Sequence, residues 1–176
     1  MSLDVAGLAD TSGLDDGAVY SRLIAAGQSM SADLKRDPAT MAYGLDSGYR
    51  MRPHLRTISD SMTPLLTLET DRLLILTPPQ VGKSTTVAEW GPVWWFANRP
   101  ADGIAIASYG LDLALDRSKG VRERVQEYGP DFDLFTKPGS EAAHDWELTS
   151  GGHLRAIGVG GGLSGFSANL LLIDDP

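Results

Sequence analysis

Cysteine is absent from the 176 residues, so neither a disulfide framework nor a thiolate metal site can form, and a reducing compartment suits the chain. Histidine is scarce, and His54, His144 and His153 are scattered without metal-ligand spacing. No run of about 18 apolar residues occurs, and the start, Met1-Ser2-Leu3-Asp4-Val5-Ala6-Gly7, has no basic segment leading into a long apolar one. The expectation is a soluble intracellular protein with no membrane partner. Positive charge is also short: 15 basic residues face 23 acidic ones, a net charge of -8, which argues against a chain that grips nucleic acid alone through a basic face. DNA stays open as a moving partner touched by a few side chains from each subunit of a ring. Arg50, Arg52 and Arg56 read either as such a local patch or as a solvated helix entrance.

What is present is enough apolar material, 42% of residues, for the core of one domain with a short appendage. The run Leu73-Leu74-Ile75-Leu76-Thr77-Pro78-Pro79-Gln80-Val81-Gly82-Lys83-Ser84-Thr85 reads as a buried strand feeding a phosphate-binding loop. In the GxxxxGK[ST] pattern, loop N–H groups wrap phosphates, the lysine reaches the β/γ-phosphates and the next hydroxyl ligates Mg²⁺. Lys83 and Ser84 fit those two roles, although the first glycine of the pattern is replaced by Thr77. Pro79, Gln80, Val81, Gly82, Lys83, Ser84 and Thr85 form the expected nucleotide-holding set. At the far end, Leu170-Leu171-Leu172-Ile173 is an unbroken apolar run closed by Asp174 and Asp175, as expected of a strand covered on both faces of a parallel sheet, with acids where such sheets place ligands. Asp174 would join the Mg²⁺ shell and Asp175 would orient or deprotonate the attacking water. The bland alternatives are a solvated turn for the Gly-Lys-Ser run and a polar helix start for the acids.

Between these ends the pattern predicts a loose arm over about 1–14, a helix over 16–35 with Val19, Leu23, Ala26, Met30 and Leu34 in one stripe, and a linker over 39–52. A second helix opens at Pro53 and should end near Thr63-Pro64. A strand over 72–76 leads into the loop, and a helix over 83–96 should kink or break at Gly91-Pro92. Trp90, Trp94, Trp95 and Phe96 read as core or subunit-contact residues, since nothing basic interleaves with them. Residues 103–108 form a strand candidate and 111–128 an amphipathic helix, with Leu111, Leu115, Val121 and Val125 inward and Arg117, Lys119, Arg122 and Arg124 toward solvent. Gly151-Gly152 marks a hairpin, a glycine-rich loop spans 158–165, and the acid-ended strand follows. The expected fold is α/β: a P-loop NTPase-type three-layer core with a mostly parallel sheet over 49–176, preceded by a helical N-terminal segment over 1–48.

Several segments together resemble the ATPase domain of the phage terminase large subunit, the motor that packages DNA into proheads. They are Arg52-Pro53-His54-Leu55, the run 72–84, Ala107-Ser108-Tyr109 before a helix, Gly151-Gly152 with 156–161, and Leu171-Leu172-Ile173-Asp174-Asp175-Pro176. Pro-Pro before the loop and Asp-Asp-Pro after the strand are the distinctive parts. The resemblance implies ATP hydrolysis with Mg²⁺, coupled to translocation of double-stranded DNA by a ring of subunits in the cytoplasm of an infected bacterium. The implied partners are a portal protein and a terminase small subunit. It carries Lys83 to the phosphates, Ser84 and Asp174 to Mg²⁺, and Asp175 and Lys83 to catalysis.

This chain departs from the pattern at three places. Gln80 stands where many relatives have arginine beside the phosphates, and Phe166 follows Ser164-Gly165 where many have another. Arginine fingers supply about 10³ to 10⁵ in rate, or roughly 4 to 7 kcal/mol. Arg117, Arg122, Arg124 or Arg155 could substitute. Asp175 is one methylene shorter than the glutamate of many ATPases. The terminase nuclease domain has no counterpart in these residues, and the core is expected to be incomplete after Asp174-Asp175-Pro176, leaving the isolated chain weak or inactive. The competing readings are a non-catalytic nucleotide-binding piece of a split or interrupted terminase, and another P-loop ATPase such as a helicase-like motor. His54 and Arg52 are candidates for adenine, with capping or surface roles as the alternative.

Overall fold

A computed structural model describes residues 16–140, 142–158, 160 and 166–175. The segments expected as a loose arm and as most of the glycine-rich loop, including Ser164 and Gly165, lie outside the described residues.

Helix α1 spans Asp16–Leu34, close to the expected 16–35, and stops ahead of Asp37-Pro38. Of its apolar stripe, Met30 is half exposed, while Leu34 packs against the core. The first half of the expected linker is instead helical, in α2 (Pro38–Leu45), with Ala39, Met41 and Ala42 fully buried. The glycines that suggested a linker fall at its end, and Pro38 at the first helical turn starts the helix rather than breaking it. Asp37 caps it. Its carboxylate, 1% exposed, accepts from the Thr40 N–H at 2.8 Å, the Thr40 hydroxyl at 2.6 Å and the Ser59 hydroxyl at 2.6 Å, and pairs with Arg36 and Arg56. Ser59 lies on α3 (Pro53–Leu66), so the cap also staples two helices together. Helix α3 runs two residues beyond Pro64, because a proline so near the end leaves only one internal hydrogen bond unmade.

After the loop at 79–82, residues 83 and 84 open a helix that passes through a π-helical stretch, Thr85–Trp90, into α4, Gly91–Asn98. No break occurs at Gly91-Pro92. The Gly91 N–H bonds the Thr86 carbonyl five residues back, and this wider turn precedes the proline, whose ring in a regular α-turn would strike the carbonyl four residues earlier.

The sheet is four-stranded in the order β2-β3-β1-β4, with β1 Gly103–Ser108, β2 Asp145–Glu147, β3 His153–Gly158 and β4 Leu170–Ile173. Strand β1 is parallel to both β3 and β4, while β2 and β3 form the expected antiparallel hairpin through Gly151 at φ +95°. Helix α5 (Leu111–Tyr128) makes the crossover from β1 toward β3, as a parallel pair requires. One sheet face carries Ile104, Ile106, Leu154 and Leu170, packed with Trp90, Val93, Trp94, Phe96, Trp146, Val121 and Val125 into the core. The tryptophans are core residues, and the Trp146 indole donates to Ser118 of α5 at 3.0 Å. Leu111 does not face inward as expected and is half exposed.

The structure is thus α/β, with a mixed sheet and five helices among the described residues. Two strand expectations fail. Strand β4 is not covered on both faces: it is an edge strand whose Leu171 and Ile173 are 50% and 58% exposed. The expected strand over 72–76 is an irregular segment outside the sheet, with Leu74 and Leu76 more than four-fifths exposed and only Ile75 packed on the core. An apolar run becomes a strand only by pairing with a ladder neighbour, and among the described residues 72–76 pair with none, although the outer edge of β4 is open.

Asp37 generates the first prediction. Burial alone would raise its pKa, but the hydrogen bonds from Ser59, Thr40 and Arg36 outweigh burial and hold it below the ordinary value. Because the folded pKa is the lower one, the stabilisation is present above the unfolded value of about 3.9 and is lost as pH falls through the folded value. Urea unfolding of Asp37→Ala should show a loss of about 2 to 4 kcal/mol at neutral pH, as expected for a helix cap joined to a buried charged hydrogen-bond network. In Asp37→Asn the acid limb of the stability profile should flatten.

Candidate functional site

The loop is shaped by backbone conformations its residues make possible. Gly82 sits at φ +91°, open to glycine at little cost, and Gln80 at φ +61°, a left-handed conformation uncommon outside glycine. Two residues from upstream anchor the loop and the helix that follows it. His54 on α3 bonds the Val81 carbonyl through Nε2 at 2.9 Å, which puts the ring proton on that nitrogen because a carbonyl can only accept. The Tyr49 hydroxyl meets the Thr86 hydroxyl at 2.7 Å in the interior. Within residues 80–85 the backbone N–H groups make no backbone hydrogen bond among the described residues, and the first helical bond closes from the Thr86 N–H to Gly82. Several N–H groups at the start of a helix therefore remain open to an anion.

Asp174 and Asp175 arrive at this loop from β4, some 90 positions along the chain. The Lys83 ammonium lies 3.2 Å from Asp175 Oδ1 and 3.4 Å from Asp174 Oδ1, and the Ser84 hydroxyl donates to Asp174 Oδ1 at 3.1 Å. Burial would lower the Lys83 pKa, yet the hydrogen bond to Asp175 and the charges of Asp174 and Asp175 raise it above the usual lysine value, so the ammonium stays charged. Asp174 is 5% exposed; Asp175 is largely exposed, at φ +51°. The Asp174 N–H bonds Ala107 at 2.9 Å and the Asp175 carbonyl accepts from Tyr109 at 3.1 Å, so both acids are anchored at the end of β1.

Helix α5 contributes a residue that the sequence pattern placed toward solvent. Arg117 donates from Nε to Asp174 Oδ2 at 3.0 Å and from Nη1 to Glu89 Oε1 at 3.0 Å. Arg124 takes the other Glu89 oxygen at 2.7 Å, with its guanidinium over the Trp90 ring. Neither arginine is a solvated-face residue. The signal was the buried row Ala114, Ser118, Val121 and Val125, since Arg117 stands three residues after the first and four before the third.

The donor set suits a Mg²⁺-bound phosphate group. A carboxylate and a hydroxyl converge at 3.1 Å, and Mg²⁺ takes one or two protein oxygens and completes its octahedron with water and phosphate. Ser108, the last residue of β1, and Thr77, two residues ahead of the loop at 79–82, have buried hydroxyls without a partner among the described residues.

Beside the loop lies an open cavity of about 300 Å³, lined in part by Asp46, Tyr49, Arg50, Arg52, Gln80 and Thr85. Arg52 stands at this cavity, whereas His54 is spent on the loop backbone. Arg155 pairs with Asp145, and its guanidinium sits over Phe166 at 4.5 Å.

No protein-family model matches the chain, and neither does any curated protein.

Removing the His54 anchor should loosen the loop. In His54→Ala, amide hydrogen exchange over residues 80–85 should accelerate, and stability should fall by about 1 kcal/mol, the worth of one hydrogen bond. Unchanged exchange would show that the anchor does not hold the loop.

Proposed function

We propose that this chain binds ATP with Mg²⁺ and belongs to the ATPase part of a DNA-packaging terminase large subunit. One observation carries the reading: Lys83 and Ser84 at a helix start meet Asp174 and Asp175 at a strand end, at 3.1 to 3.4 Å, from opposite ends of the chain. In this reading the N–H groups of residues 80–85 and the Lys83 ammonium take the phosphates. Ser84 and Asp174 supply the protein oxygens for the metal. Mg²⁺ bound with ATP neutralises phosphate charge and fixes its geometry. Asp175 orients the attacking water. The cavity at Tyr49, Arg50 and Arg52 adjoins the loop and has the position a nucleoside needs. The Pro78-Pro79 and Asp174-Asp175-Pro176 flanks favour a packaging motor, with double-stranded DNA, a portal protein and a small subunit as partners of a ring.

A second reading, a nucleotide-binding piece that gains turnover only with another polypeptide, is favoured by the apolar surface at Leu74, Leu76, Leu171 and Ile173. In this second reading, slow or no hydrolysis is expected of the chain alone.

Calorimetric titration with MgATP should give measurable binding for the parent chain and a loss of at least about tenfold in Lys83→Ala, since a charge-assisted contact contributes about 1.5 to 3 kcal/mol. Equal affinity in both removes the phosphate-loop assignment. Brisk hydrolysis by the chain alone removes the second reading.

A further inference from the structure

We infer that Arg117 is a positioning residue for Asp174, with Glu89 as the second carboxylate that fixes the guanidinium; the inference rests on the nucleotide reading above. Asp174 has two oxygens with divided tasks. Oδ2 accepts from Arg117 Nε, while Oδ1 faces Ser84 Oγ and Lys83 Nζ. A carboxylate rotates about its terminal torsion at low cost, so without a partner on Oδ2 either oxygen, or both, could turn toward the loop. The planar guanidinium removes that freedom by bonding two acceptors in different directions, Asp174 through Nε and Glu89 through Nη1. Glu89 is itself held on its other oxygen by Arg124 and rides on the π-helical stretch that continues from Lys83 and Ser84.

The geometry makes Arg117 a partner of the metal-facing carboxylate rather than a contact of phosphate. Its guanidinium is committed to two carboxylates on the α5 side of Asp174. Outer partners of metal-ligating carboxylates typically govern metal affinity by about 10- to 100-fold. The consequence is specific to Mg²⁺: phosphate contacts from Lys83 and the loop N–H groups do not pass through Arg117.

The test compares ATP affinity by calorimetry in Mg²⁺ and in EDTA for the parent chain, Arg117→Gln, Arg117→Lys and Arg124→Gln, with circular dichroism confirming the fold of each. In Arg117→Gln the gain in affinity that Mg²⁺ confers should shrink by about tenfold or more, with EDTA affinity near that of the parent. Arg117→Lys, which keeps one cation beside Asp174, should recover part of the gain. Arg124→Gln frees one Glu89 oxygen but leaves the Arg117–Asp174 bond in place, and should lower the unfolding midpoint while shrinking the gain by less than Arg117→Gln does. An Mg²⁺ gain equal to the parent's in folded Arg117→Gln overturns the inference and leaves the nucleotide reading standing. So does an equal loss in Mg²⁺ and EDTA, which would make Arg117 merely structural. Absence of ATP binding by the parent in both media overturns the nucleotide reading and this inference together.

Discussion

The charge on Asp174 is the constraint around which one end of this molecule is arranged. A carboxylate taken out of water costs several kcal/mol unless cations and hydrogen bonds replace its hydration. Here the replacements come from separate elements: Arg117 from the crossover helix α5, and Lys83 with Ser84 from the helix that starts at the loop. The acid at the end of the edge strand therefore pulls both helices to the same end of the sheet. Asp174, Asp175 and Glu89 are matched by Lys83, Arg117 and Arg124, so the cluster as a whole is neutral although each member would be costly alone.

Beneath that cluster, the helix after the loop has two demands to meet. Its first turn must present Lys83 and Ser84 to the acids, while its later turns must bury Trp90, Val93, Trp94 and Phe96 under the sheet. The π-helical stretch between them admits Pro92 and alters the angle at which the two ends face. Thr86 and Glu89 both lie in this stretch, one bonded to Tyr49 and the other to the α5 arginines. A widened turn in this place supports the site as well as the helix, in keeping with the frequency of such turns near functional groups.

Much of this was legible along the chain wherever the signal was local. The α5 span, the 103–108 strand, the Gly151-Gly152 hairpin and the acid-ended strand follow from periodicity and turn chemistry, and their observed bounds agree closely. Proline was the poorest guide. Pro64 and Pro92 each suggested an end to regular structure, yet each sits where its missing N–H is tolerated: near a last turn, or beside a π-helical turn. The Ala39 to Ala42 segment looked like linker because its burial depends on α3 and the core rather than on any pattern of its own. Leu73 to Leu76 looked like a strand because apolar content records an appetite for burial and carries no information about a hydrogen-bonding neighbour.

The site divides in the same way. Sequence alone singled out the groups on which the proposed phosphate chemistry rests, since Gly82-Lys83-Ser84 and Asp174-Asp175 are defined by residue type and by their places at the ends of apolar runs. Only the tertiary structure decided that these groups meet, that His54 anchors the loop, and that Arg117 holds the far oxygen of Asp174. The physical reason is that electrostatic pairing depends on distance in space. A helix residue at the margin of a buried row can read as solvated until the element packed against it brings a buried carboxylate within 3.0 Å.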